Sequence, residues 1–159
     1  MARSSRRLAA ALLLTGVTAL GVGACSPITT MQAYAPSDGV RAELGTQLRV
    51  ENLLVLTSAE GAEGTVLGAL VNESTSAADV TLAIDGVSGG QQLEVPAGGT
   101  LLLGPEHHEV ALSTVPAAPG ATVPVQVSTS QSGSVTLDVP VLDGTLPYYE
   151  DKVPTTPGE

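Results

Sequence analysis

Between Gln47 and residue 146, apolar and polar residues alternate in short runs. In VTLAID, Val80, Leu82 and Ile84 fall on one face and Thr81, Ala83 and Asp85 on the other. TVPVQVST repeats the pattern with Val123, Val125 and Val127, and SVTLDVPVL repeats it with Val135, Leu137, Val139 and Val141. A period of two sends successive side chains to opposite faces of a strand, so these runs read as half-buried antiparallel strands. LRVENLLVLT, GTVLGALVN, QQLEV, TLLLG and HEVAL are further strand candidates. Turn signals stand between them at Asp85-Gly86, Gly89-Gly90, Ala97-Gly98-Gly99 and Pro119-Gly120. Seven or eight short strands with almost no helical window predict an all-β domain over residues 47–146, built as a Greek-key antiparallel β-sandwich. Pro124 and Pro140 fall on outward positions, which places their strands at an edge or turns the proline nitrogen away from a ladder.

Composition narrows the core. The chain has no Phe and no Trp, and its three tyrosines, Tyr34, Tyr148 and Tyr149, all lie outside the predicted strands. Val, Leu, Ile and Ala must therefore fill the interior.

The ends of the chain follow other rules. Residues 1–24 carry Arg3, Arg6 and Arg7, then an apolar run from Leu8 to Val22, then small residues, which is the layout of a bacterial secretory signal. That run is 15 residues long, short of the roughly 20 that span a bilayer. Val22-Gly23-Ala24-Cys25 resembles a lipobox, in which cleavage before Cys25 leaves a diacylated cysteine as the first residue of the mature chain. Cys25 is the only cysteine, and an unpaired thiol in an exported protein calls for a reason that lipidation supplies. Two acyl chains give stable anchoring, so the expected location is the outer face of the cell membrane. Residues 25–46 read as a lipidated flexible tether with a reach of roughly 25 Å. Residues 147–159 read as an irregular tail, with Tyr148 and Tyr149 as a docking point and residues from 150 on loose.

Charge sets the partners. After residue 24 only Arg41, Arg49 and Lys152 remain against 16 acidic residues, a formal −13 without histidines or termini. Such a surface repels phosphate backbones and anionic headgroups, which argues against nucleic acid and for a domain held to the membrane by its lipid alone.

Few residues look reactive. The two histidines, His107 and His108, sit together in GPEHHEVAL between Glu106 and Glu109. On a strand they would point to opposite faces; on a turn they could converge, with Glu106 or Glu109 completing a Cu(II) or Zn(II) site of borderline ligands, the candidate set being His107, His108 and Glu109. There is no G-x-S-x-G elbow and no H-E-x-x-H helix, and Glu60 and Glu63 lie in a glycine-broken loop. Asn72-Glu73-Ser74 matches a glycosylation acceptor and is assigned no role. The expectation is a non-catalytic module without a resident cofactor, accessory to another envelope protein.

The order of features after the lipobox resembles a known family. PEHHEVALSTVPAAPGATVPVQVSTSQSGSVTLDVPV follows the pattern of the PCuAC copper chaperones (DUF461) and of the LpqE-like actinobacterial lipoproteins that share their domain. A proline-led turn and a short strand come first, then Gly120-Ala121-Thr122-Val123-Pro124 and a strand ending Val139-Pro140-Val141, with VLDGTLPYY similar to the tails of the lipoprotein branch. The resemblance covers roughly residues 47–146 and implies a cupredoxin-like sandwich. It also implies a Cu(I) site built from a mid-domain His and Met and a His-x-Met pair after the turn. Here Glu109 and Ala111 stand at the His-x-Met positions, and DVTLAIDGVSGGQQLEVPAGG contains neither His nor Met. Met31, in the tether, is the only methionine beyond residue 24. The alternative function is therefore copper binding or trafficking at an altered site around His107 and His108.

Overall fold

The computed structural model describes residues 37–154. Cys25, Met31, the signal and most of the tether lie outside the described residues. Nine strands follow in order: β1 (Val40–Leu44), β2 (Leu48–Thr57), β3 (Gly64–Asn72), β4 (Ala78–Ile84), β5 (Gln91–Val95), β6 (Thr100–Leu103), β7 (Ala111–Leu112), β8 (Thr122–Thr129) and β9 (Gly133–Leu142). The domain is all-β, as the alternation implies, and cupredoxin-like, as the resemblance implies. The strands form one path, β5-β4-β8-β9-β2-β3-β6, with β1 added to β2 and β7 added to β3. The path wraps almost into a barrel: β1, β2, β3, β6 and β7 make one sheet, β4, β5 and β8 the other, β9 joins both, and residues of the two sheets share the main core. The ladders between strands are antiparallel except where β9 runs on to meet β2 in parallel at Val55↔Val141 and Leu56↔Leu142.

Alternation predicts the core on β4 and β8. Val80, Leu82, Val125 and Val127 are at most 2% exposed, while Asp79, Pro124 and Gln126 face solvent. The prolines sit in interior strands, so it is the second of the two expected placements that holds. The Pro124 carbonyl accepts the Asp85 N–H at 2.9 Å, and its nitrogen faces the same side, just past Ile84↔Val125, the last rung shared with β4. Val141 N–H bonds Ala121 on the β8 side, so Pro140 turns its nitrogen toward β2, one residue before the parallel seam.

On β2 the alternation breaks. Asn52 has φ 52°, and the register with β3 slips between Glu51 and Leu54. This bulge moves the inward positions from Leu48 and Val50 to Leu53 and Val55. Leu54 and Leu56 consequently face outward, yet both are fully buried, because Tyr149 and Val153 pack over them. Gly39 is required beside the bulge: a Cβ there would lie 2.5 Å from the Asn52 carbonyl carbon, while its N–H donates to Asn52 Oδ1 at 2.8 Å.

Both ends of the domain are more ordered than expected. The segment assigned to the tether ends earlier than residue 46, because Val40–Leu44 pairs with β2 and buries Leu44. The tail is not loose through residue 154. Tyr148 and Tyr149 hydroxyls both donate to Asp38 Oδ2 at 3.0 Å, and a 3-10 turn at Glu150–Lys152 follows. The docking point suggested by the tyrosine pair is Asp38 together with the outer face of β2.

Candidate functional site

The histidines lie on a closed turn between β6 and β7. His107 N–H donates to Gly104 O at 3.0 Å and His108 N–H to Leu102 O at 3.1 Å, while Gly104 N–H returns to His108 O at 3.0 Å. Backbone bonding of this kind fixes the turn and covers the free edge of β6 at Leu102. It also shortens the expected HEVAL strand to Ala111–Leu112, since the His108 backbone is already spent. The two imidazoles and the Glu109 carboxylate are exposed. Among the described residues no group of three or more His, Cys, Asp or Glu side chains is arranged to hold a metal ion, so His107, His108 and Glu109 are not brought together as ligands.

Among the described residues Glu106 is the carboxylate of the turn that has a partner. Lys152 Nζ of the tail donates to its Oε2 at 2.8 Å. That hydrogen bond, and then the lysine charge, hold the Glu106 carboxyl below its ordinary range. The tail is thus tied at two points, Asp38 and Glu106. Burial first, and then the hydrogen bond to Asp38, push the Tyr149 hydroxyl up to about 12, and Tyr148 is raised by its own hydrogen bond to Asp38.

Beside the turn runs a groove of about 300 Å3, walled by Leu54, Leu67, Leu102 and Pro105, with Tyr149 at one flank and Glu51 and Glu106 among its polar groups. Sequence reasoning missed it. Its walls come from strands distant in the chain, and Leu102 belongs to an apolar TLLL run with no alternation to mark its outward side.

The other residues singled out from the sequence are placed as follows. Glu60 and Glu63 are exposed in the β2–β3 loop, whose backbone is held by Val115 and Thr57. Asn72 is 2% exposed, so it is a structural residue. Its Nδ2 donates to Ser76 O, Val95 O and Pro96 O, and its Oδ1 accepts from Ser74 N–H and Oγ–H. The signal was the Asn-x-Ser spacing itself, which suits an Asx turn as well as an acceptor site.

No protein-family model matches the sequence, and no curated protein matches it in sequence. Solved structures do match the fold. The copper-bound PCuAC domain from PmoF2 superposes with a TM-score of 0.52 at 14% identity, over 65% of this chain and 98% of that one. The apo PCuAC domain from PmoF1 gives 0.51 at 17%, over 64% and 98%, and the apo PmoF2 domain gives 0.53 at 15%, over 67% and 98%. The domain is PCuAC-like in fold.

The side chains do not follow the fold. Soft Cu(I) sites combine thioether with imidazole, and the described residues contain no methionine. The residues at the turn therefore do not fit a His/Met copper centre. Among the described residues no helix is long and apolar enough to cross a membrane.

Proposed function

We propose that the chain is a lipid-anchored protein of the outer face of the cell membrane, attached through Cys25. Its sandwich is a non-catalytic binding module that presents an acidic surface to another envelope protein. The observation that carries this reading is the outer face of β4 and β5, where Asp79 lies directly opposite Glu94 and both are exposed. Like charges at opposed positions of an antiparallel pair destabilise the sheet, so a cationic partner relieves a strain that the domain carries alone. Asp85 and Asp138 are exposed on the same half of the domain. The three basic residues beyond the signal do not offset them: Arg41 and Arg49 pair with Glu43, Glu51 and Glu73, and Lys152 pairs with Glu106.

Cross-linking in intact membranes, followed by mass spectrometry, tests the reading. A specific protein partner is expected, and its yield should fall in an Asp79→Lys/Glu94→Lys variant. Recovery of nonspecific partners alone would defeat it. The anchor is tested separately: Cys25→Ser should move the protein out of the membrane fraction.

A second reading is copper binding or trafficking at an altered site. It draws on the likeness to a copper-bound PCuAC domain and on two imidazoles carried by one exposed turn. Titration of Cu(I) and Cu(II) should then give saturable binding that is lost in His107→Ala/His108→Ala. Binding that the double variant leaves unchanged would remove the histidine site.

A further inference from the structure

The outer face of β2, β3 and β6 is apolar along a track that the chain itself covers only in part. Register sets Leu54 opposite Leu67, and Ala69, two residues on, opposite Leu102. Tyr149 and Val153 cover the β2 side of this track. The β6 side is open, and Leu102 is 46% exposed there. The open groove, about 300 Å3, lies at the lower end of the roughly 300–1,000 Å3 that holds small molecules. It is the right size for one or two side chains rather than a large cofactor.

The covered half displays the chemistry that this face accepts. The tail sets down an apolar ring, Tyr149, and three residues later a lysine that reaches Glu106. Charge around the open half makes the same demand. At one end Arg41 and Arg49 answer three glutamates, Glu43, Glu51 and Glu73. At the other, Lys152 answers Glu106, while Glu109, Glu150 and Asp151 stand exposed on the same segments. Both ends are left with surplus negative charge.

We infer that the open groove is a docking site for an extended segment of a partner protein, in which an aliphatic side chain lies between lysines or arginines. This segment continues the track on which the chain's own tail already lies. The inference rests on the reading of the chain as an acidic binding module, and adds to the β4–β5 face a second contact, on β2, β3 and β6, with the partner chemistry that it accepts. The aliphatic side chain enters between Leu67, Leu102 and Pro105, and its basic neighbours meet the carboxylates at either end. The backbone of His108 already occupies the free edge of β6 at Leu102, so recognition is by side chains rather than by an added strand.

Photo-cross-linking of the full chain in its native envelope tests this. Leu102→Cys and, on the other sheet, Gln126→Cys carry a benzophenone label, and the unsubstituted chain is labelled in parallel to subtract any product from Cys25. The expected result is a protein adduct at Leu102→Cys whose captured segment, read by mass spectrometry, holds an aliphatic residue flanked by lysine or arginine. A second change to Leu67→Glu, or to Pro105→Glu at an exposed position outside the buried cluster, should lower that adduct roughly tenfold, with melting temperature recorded for each variant. No adduct at Leu102→Cys, an adduct with lipid, with an acidic segment or with a second copy of this chain, or a yield indifferent to Pro105→Glu overturns the inference. An adduct from Gln126→Cys alone overturns the groove and leaves the acidic-module reading standing. Adducts from neither position remove both.

Discussion

Strands β4 and β8 keep a single alternation from end to end, whereas β2 changes face halfway along. On β4 the inner residues Val80 and Leu82 are buried and their neighbours Asp79, Thr81 and Ala83 are not. On β2 five consecutive residues, Leu53 to Thr57, are all buried. The same two-residue period operates in both strands. The difference is that β2 has a bulge to shift the period and a tail to cover its outer face. One half of the sandwich therefore has one apolar face, and the other has two, the second finished by a segment of the chain about ninety residues away.

Side-chain truncation breaks or sharpens this contrast most strongly. Leu53→Ala and Leu54→Ala should each cost about 2–5 kcal/mol in urea titrations although the residues are adjacent. On β4, Leu82→Ala should cost as much, while Thr81→Ala stays within about 0.5 kcal/mol. Deleting residues 147–159 should then separate the adjacent pair: Leu54→Ala falls below about 1 kcal/mol in the shortened chain, and Leu53→Ala does not. Equal costs in the shortened chain would show that the tail is not what buries Leu54.

Next come the polar fixtures. Asn72→Ala leaves the carbonyls of Ser76, Val95 and Pro96 without their side-chain donor and should cost about 1–3 kcal/mol. Gly39→Ala forces a Cβ against the bulge and should cost about 1–3 kcal/mol on the β2 side; Gly89→Ala, with open space around it but φ of 83°, tests backbone strain without contact.

The tail brings a pH dependence of its own. Burial and Asp38 raise the Tyr149 hydroxyl to about 12, against about 10 for a free tyrosine. The fold favours the neutral phenol, so its contribution is complete below about pH 10 and is lost as pH rises through the folded value. Tyrosinate absorbance should show this late titration, and Asp38→Asn should bring it earlier. A Tyr149 titration near that of free tyrosine in the unsubstituted chain would mean that the tail is undocked.

The smallest effect has the opposite sign. Asp79→Lys replaces the repulsion with Glu94 by an attraction and should stabilise the domain by about 0.2–1 kcal/mol. It should do so while weakening partner capture.

Much of the fold was legible because short apolar or alternating runs bounded by turn residues carry it. LRVENLLVLT, GTVLGALVN, QQLEV and TVPVQVST coincide with β2, β3, β5 and β8. What stayed hidden has physical causes. VRAEL looks like tether because a five-residue strand with Arg41 and Glu43 outward carries little hydrophobic signal, and pairing with β2 is what orders it. The inward face of β2 past Asn52 could not be assigned, since one extra residue reverses every position after it. At the candidate site the histidines were visible, but their role in the fold is made by backbone groups, which no side-chain pattern announces.

By itself, the amino-acid sequence determines an all-β domain with an aliphatic core, a strongly acidic composition and two adjacent histidines. Those properties follow from local period and composition. Tertiary structure alone decides where β2 changes face, which carboxylates oppose one another, and that the tail lies along β2 with Lys152 on Glu106. It also decides that an apolar groove stays open beside Leu102. Each of these depends on contacts between residues far apart in the chain, and contact free energy exists only once the strands have been brought into register.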